Sequence, residues 1–265
     1  MPIATTALDS KIYYEYHGSG VPLLLISGTG HDHTFWAGQL PLLSQHYQCF
    51  VFDNRGVGQS STPEPGYSLS DMAEDAVAVL AAEGIKTAHV MGFSMGGHIA
   101  QCVALNHPSL VRSLGIHHSW SRNCNRLHKF QSLRKTLAER GLRDQLADIS
   151  LLMLYEPQYY HDHLDDMATI RDAMITSMAT MDGWIGQLEA CIRGDTHARL
   201  EELNVPTLIT CSDKDAIVAV HRAQELQAGI KNSELKILTG SGHVALIETP
   251  DLFANICADF LGRHP

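Results

Sequence analysis

No stretch of the 265-residue chain stays apolar for the ~18–20 residues that a membrane span requires, which excludes a transmembrane helix. The opening residues, Met1-Pro2-Ile3-Ala4-Thr5-Thr6, lack the charged and apolar regions of a secretory signal, so a cytoplasmic location is expected. The six cysteines (Cys49, Cys102, Cys124, Cys191, Cys211 and Cys257) include no C-x-x-C pair. Most fall in apolar patterns, where a free thiol acts as a small hydrophobe and a disulfide framework is not indicated. Positive charge is short: 19 Lys and Arg stand against 29 Asp and Glu, a net −10. That balance argues against nucleic acid and acidic membrane surfaces as partners. Internal repeats and low-complexity segments are absent too.

Histidine, by contrast, is plentiful, at 16 residues. His31-Asp32-His33 and His161-Asp162-His163 each read H-x-H, and His117-His118 is an adjacent pair. None has a clear third ligand at metal-site spacing, so neither a metal nor another cofactor is expected.

The length allows one or two domains and a large core. Strand-like runs alternate with helical patterns, which implies an α/β fold with a mostly parallel sheet. Lys11–Tyr16 alternates like an edge strand, and Val21–Ile26, Gln48–Phe52, Ala88–Met91, Ser113–His117, Pro206–Cys211 and Glu234–Thr239 read as further strands. An amphipathic helix begins near Ser68-Leu69-Ser70-Asp71, with Ser70 as its expected cap, and Thr249-Pro250 opens the last helix. From Trp120 to Arg199 no good strand appears. The expected division is therefore a core of residues 1–119 and 200–265 with an inserted helical cap over 120–199. Met153, Met167, Met174, Met178 and Met181 in the cap fit either ordinary core packing or a malleable pocket wall.

The most informative stretch is Gly92-Phe93-Ser94-Met95-Gly96, a G-x-S-x-G between a strand and a helix-like segment at His98–Leu105. That context predicts a nucleophile elbow, a turn so tight that glycine is required on both sides. A serine hydroxyl needs a base, and the base an orienting acid. His243 follows the last strand in Gly240-Ser241-Gly242-His243 and is the expected base. Asp213 and Asp215 both follow the preceding strand. Asp215, just before Ala216-Ile217-Val218, is the expected acid, and Asp213 is expected to cap the turn or face solvent. No Asp or Glu occurs between Ser113–His117 and Glu139, so an acid after that earlier strand is missing. The oxyanion hole should combine the N–H of Met95 with that of Thr29, in the loop Ser27-Gly28-Thr29-Gly30.

These segments, together with Asp53-Asn54-Arg55-Gly56-Val57-Gly58-Gln59-Ser60, resemble the α/β-hydrolase superfamily over nearly the whole chain. The resemblance is nearest to small esterase-like members such as 3-oxoadipate enol-lactonases and aminoacrylate hydrolases. The cofactor-free haloperoxidases, or perhydrolases, share the spelling Gly-Phe-Ser-Met-Gly-Gly. Two positions depart from the family pattern. The oxyanion loop opens Ser27-Gly28 where His-Gly is usual. Phe93 stands where the carbon–carbon bond hydrolases usually carry Asn, which lowers that reading. The resemblance implies a serine hydrolase acting on a carboxylic ester or lactone of a small molecule. Thioester, enamine-type or carbon–carbon cleavage, peracid formation and a non-catalytic binding role are the alternatives. A homodimer is left open.

Candidate substrate contacts are His31, Trp36, Phe93, Trp120 and Arg122. The first half of the cap is basic (Arg122, Arg126, Lys129, Arg134, Lys135, Arg140, Arg143) and the second acidic (Glu156, Asp162, Asp165, Asp166, Asp172). A solvated helical face whose halves pair is one account. The sharper one is that Arg122 or Arg126 reaches inward to clamp a substrate carboxylate.

Overall fold

The computed structural model describes residues 2–6, 10–177 and 180–265. Eight strands form one sheet: β1 (Ile3–Thr5), β2 (Lys11–His17), β3 (Val21–Ile26), β4 (Tyr47–Phe52), β5 (Ala88–Phe93), β6 (Val111–His117), β7 (Thr207–Ser212) and β8 (Ser233–Leu238). Their spatial order is β1-β2-β4-β3-β5-β6-β7-β8. The first two pairings are antiparallel and the rest parallel. β5 and β7 are buried at every position, as central strands covered on both faces are. The expected edge strand at Lys11–Tyr16 is not the edge: β1 lies outside it, and three residues are too few to show an alternation.

Helices α1 (Leu40–Leu43), α2 (Leu69–Ala82) and α3 (Met95–Asn106) lie in the first half of the chain, and α9 (Val220–Gly229), α10 (Ala245–Glu248) and α11 (Pro250–Gly262) in the last part. The cap of α2 is Ser68, not Ser70. Ser68 Oγ accepts from Asp71 N while the Asp71 carboxylate accepts from Ser68 N, a reciprocal capping box that the serine two residues later could not close.

Between β6 and β7 run α4 (Asn125–Glu139), α5 (Arg143–Leu154), α6 (Pro157–Asp162), α7 (Leu164–Ser177) and α8 (Met181–Arg193). α4 packs against α5 and α8, and α5 against α7. The two chain ends of this insertion run side by side, joined by an isolated bridge between Arg122 and Asp195 and by Thr196 N donating to Ser121 O at 2.8 Å. Met167 and Met174 are buried, Met153 and Met181 pack half-buried on the same core, and Met178 lies outside the described residues. No described helix is long and apolar enough to cross a membrane. All six cysteines are free thiols.

The topology positions the site. β3 neighbours β4 on one side and β5 on the other, so the chain winds in opposite directions from this point. At such a switch the loops leaving the strand ends diverge and leave a crevice. Ile26 pairs with Gly92, so Ser27–Gly30 and Ser94 emerge side by side there.

The D-x-R-G segment braces this end of the sheet. Arg55 is buried and pairs bidentately with buried Asp75, Nε to Oδ2 at 2.6 Å and Nη2 to Oδ1 at 2.7 Å. Asp53 accepts from the N–H groups of His33 and Gln59.

Three of the fully buried histidines show how stability depends on pH. Burial pulls His98 down to about 4 and His117 and His118 down to about 3. They stay neutral in the folded chain, while the unfolded chain takes up their protons below about pH 6.5. Stability is therefore lost as pH falls from that value, at roughly 1.4 kcal/mol per unit for each histidine. Together these residues should cost about 4 kcal/mol between pH 6 and pH 5. Urea unfolding at pH 7, 6 and 5 measures this, and equal stability at all three would contradict it.

Candidate active site

Ser94 sits between β5 and α3 with φ 55° and ψ −118°, a left-handed conformation unusual for a residue with a side chain. The turn is held by Ser94 N donating to His117 O at 2.8 Å and by Gly97 N and Ser119 Oγ donating to Ser94 O. Its glycines are sterically required. A Cβ on Gly92 would meet Gly96 O at 2.0 Å, and one on Gly96 would meet Ile26 O at 2.2 Å. Both obstacles are backbone and cannot rotate away.

His243 follows β8 and is buried. Its Nε2 lies 2.9 Å from Ser94 Oγ, and its Nδ1 lies 2.7 Å from Asp215 Oδ2. The other carboxylate oxygen, Asp215 Oδ1, accepts from Ile217 N and Val218 N, both at 2.8 Å. Asp213 does something different: its Oδ1 accepts from Gly240 N at 2.7 Å and ties the two loops at the strand ends together. A proton can pass from Ser94 Oγ to His243, with the carboxylate holding the imidazole in register.

The loop Ser27–Gly30 packs on the serine: a Cβ on Gly28 would lie 3.3 Å from Ser94 Cβ. Thr29 lines the space above Ser94, with its hydroxyl turned toward Cys191 Sγ at 3.7 Å. Met95 is the first residue of α3, so its N–H has no intrahelical partner. α8 clamps this loop from above. Gln187 accepts from Gly30 N and donates to Arg55 O, both at 2.8 Å. Gly30 itself has φ 77° and lies against the Trp184 ring.

The pocket over Ser94 is small. About 20 Å³ is open to the centre of a water-sized sphere, little more than the ~10–15 Å³ that one water occupies by this measure. Of the candidate contacts, His31 and Phe93 line it. Phe93 also stacks on His118, ring centres 5.1 Å apart, and meets the His243 ring edge-on at 5.3 Å.

Trp36 and Trp120 do not line the pocket; both are fully buried in the core. Trp36 packs on Phe35 and Phe253, and Trp120 edge-on to His98, because side chains this large fill interior space wherever the backbone turns them inward. Arg122 is also elsewhere. Its guanidinium binds Glu225 Oε1 at the surface through Nε and Nη2, at 2.9 and 2.5 Å, because it stands at the solvent-facing junction of cap and core. Arg126 is exposed on the outer face of α4. The cap's named basic and acidic residues do not pair with each other among the described residues; Lys135 pairs with Glu139 and Glu189.

Contributors not singled out by the sequence reading include Gln131, Arg134 and Leu154 in the pocket wall, Gln187 on the oxyanion loop, and Glu248. Glu248 accepts from Gly242 N at 2.7 Å and Glu156 N at 2.9 Å, holding the His243 loop against the cap, and burial pushes its carboxyl up. His243 N also donates to Leu154 O at the end of α5. A signal for the pocket residues existed in α4, whose buried positions Leu127, Gln131, Arg134 and Ala138 repeat at helical spacing with two polar residues in the stripe. In each H-x-H motif the second histidine is engaged. His33 Nδ1 lies 2.7 Å from Asp53, Asp32 caps the turn at Thr34, and His163 Nδ1 contacts Tyr159 O. Asp32, His33 and Asp53 each bring one donor atom within 4.8 Å of the others.

The family model for the alpha/beta hydrolase fold matches residues 21–250. Relatives named "Putative carbamate hydrolase RutD" occur in Azorhizobium caulinodans, 30% identical and covering 96% of each chain, and in Variovorax paradoxus, 32% identical and covering 95% of this chain and 96% of the relative. Among solved structures, the enol-lactonase of Burkholderia xenovorans superposes with a TM-score of 0.92 at 24% identity, covering 98% of this chain and 100% of that one. A hydrolase from Pseudomonas aeruginosa gives 0.92 at 25% identity, covering 98% of each. This chain belongs to the α/β-hydrolase family.

Proposed function

We propose that this hydrolase cleaves a carboxylic ester or lactone of a small molecule through an acyl-enzyme on Ser94. The observation that carries the reading is the continuous chain from Ser94 Oγ through His243 to Asp215, with links of 2.9 and 2.7 Å. His243 Nε2 takes the Ser94 proton as Oγ bonds to the substrate carbonyl carbon. The Thr29 and Met95 N–H groups receive the oxyanion, and Asp215 stabilises the imidazolium. Collapse of the tetrahedral intermediate breaks the bond to the leaving oxygen, which takes the proton from His243. Water then repeats the sequence on the acyl-enzyme and releases the acid and Ser94. The small pocket favours a compact acyl group.

A carbamate is the second reading, favoured by the name shared by relatives that span almost the whole chain. The same machinery would act, with a carbonyl flanked by nitrogen. Initial rates on a matched 4-nitrophenyl acetate, small lactone, carbamate and thioester test the choice. The highest kcat/KM is expected on the ester or lactone. A carbamate turned over faster than its matched ester would select the second reading, and turnover of the thioester alone would overturn both.

A further inference from the structure

The pocket wall holds a cation that the mechanism does not use. Arg134 is 6% exposed, on the buried stripe of α4. Its guanidinium carbon lies over the rings of Phe130 and Trp184, 5.3 and 5.1 Å from their centroids, within cation–π range of both. Nη1 donates to Gln131 Oε1 at 3.2 Å, and Nε is sealed from solvent with no partner. No carboxylate among the described residues pairs with it.

Among the arginines, only Arg55 is buried as deeply. Buried Arg55 has Asp75. Surface Arg122 has Glu225, and Arg171 has Asp144 and Asp148. A buried charge without a counter-charge is costly, and burial alone brings the Arg134 guanidinium down to about 10, still a cation at neutral pH. Beside it in the same wall, His31 Nδ1 is also buried without a partner. Burial lowers His31 to about 4, so its ring is neutral at pH 7 and can donate one N–H. His31 and Ser94 line the same pocket, on either side of Gly28. A buried cation without a counter-charge in the wall of one small cavity describes a site whose counter-ion arrives with the ligand. The chain's net −10 repels anions at long range, so this local cation is what would select one.

We propose that Arg134, with Gln131 and His31 beside it, binds a carboxylate of the substrate, so that the molecule cleaved at Ser94 is a small anion. This rests on the acyl-enzyme reading. It moves the carboxylate clamp from Arg122 and Arg126 to the arginine that faces inward.

The test compares 4-nitrophenyl hydrogen succinate with 4-nitrophenyl butyrate, near-isosteres that differ by one carboxylate. Wild-type kcat/KM should favour the succinate at least ~10-fold, and Arg134→Met should lower the succinate-to-butyrate ratio about 100-fold, mostly through KM. Because Arg134→Met could fail to fold, inhibition of wild-type butyrate hydrolysis is measured alongside. Succinate should compete at least ~10-fold better than succinamide. Equal wild-type rates, an unchanged ratio in the variant, or equal inhibition by acid and amide would overturn the anion site while leaving Ser94 as nucleophile. No hydrolysis of either ester would overturn the ester reading and this site with it.

Discussion

Ser94→Ala is expected to lower kcat by about 10⁵-fold on the best ester or lactone substrate, with little change in KM. The substitution removes one oxygen atom and leaves the rest of the site standing. The side-chain hydrogen bond that is lost is the one to His243 Nε2, and the turn is held by backbone and Ser119 contacts that alanine keeps. The variant should therefore fold, bind and fail to react. Residual rate over the uncatalysed reaction would come from the oxyanion donors and the bound geometry alone. Steady-state kinetics with a thermal melt as folding control measures this. A variant that retains a tenth of wild-type turnover would mean another residue attacks.

Asp215→Asn should cost about 10⁴-fold in kcat, the second largest effect. The physical reason lies in the two oxygens. Oδ1 accepts two backbone N–H groups, so in asparagine the amide oxygen must take that place. The NH₂ is then left facing His243 Nδ1. A donor there forces the imidazole into the tautomer that carries its proton on Nε2, toward Ser94, where it cannot act as a base. Asp213→Asn is the control. Its oxygen can still accept from Gly240 N, so activity should stay within about threefold. Comparable losses in the two variants would contradict the assignment of roles.

How much of this was legible in the sequence depended on what each feature needs. The elbow was legible because it needs glycine at fixed offsets, and the clashes at Gly92 and Gly96 show why nothing else fits. Ser94, Asp215 and His243 could be brought together on paper because each follows a strand, and parallel strands deliver their C-terminal ends to one edge of the sheet. The pocket wall was not legible in the same way. It comes from helices whose placement depends on packing, so counting basic residues along the cap drew attention to Arg122, which faces solvent and Glu225. The register of α4 held the better clue. Gln131 and Arg134 share a buried stripe with Leu127 and Ala138, and polar residues there must either pair or serve. Trp36 and Trp120 failed as pocket contacts because aromatic bulk near a motif says only that the residue is buried somewhere. Contacts such as Gln187 on Gly30 and Glu248 on Gly242 join residues 157 and 6 positions apart through side-chain-to-backbone bonds. No local pattern announces these.

The central claim is that one serine hydroxyl is activated as a nucleophile. The most direct test is to treat the purified protein with a small alkyl fluorophosphonate and measure its intact mass, then map the modified peptide. The account predicts a single adduct on Ser94, absent in Ser94→Ala and strongly slowed in Asp215→Asn. No adduct, or an adduct on a different serine with Ser94 unmodified, would contradict it.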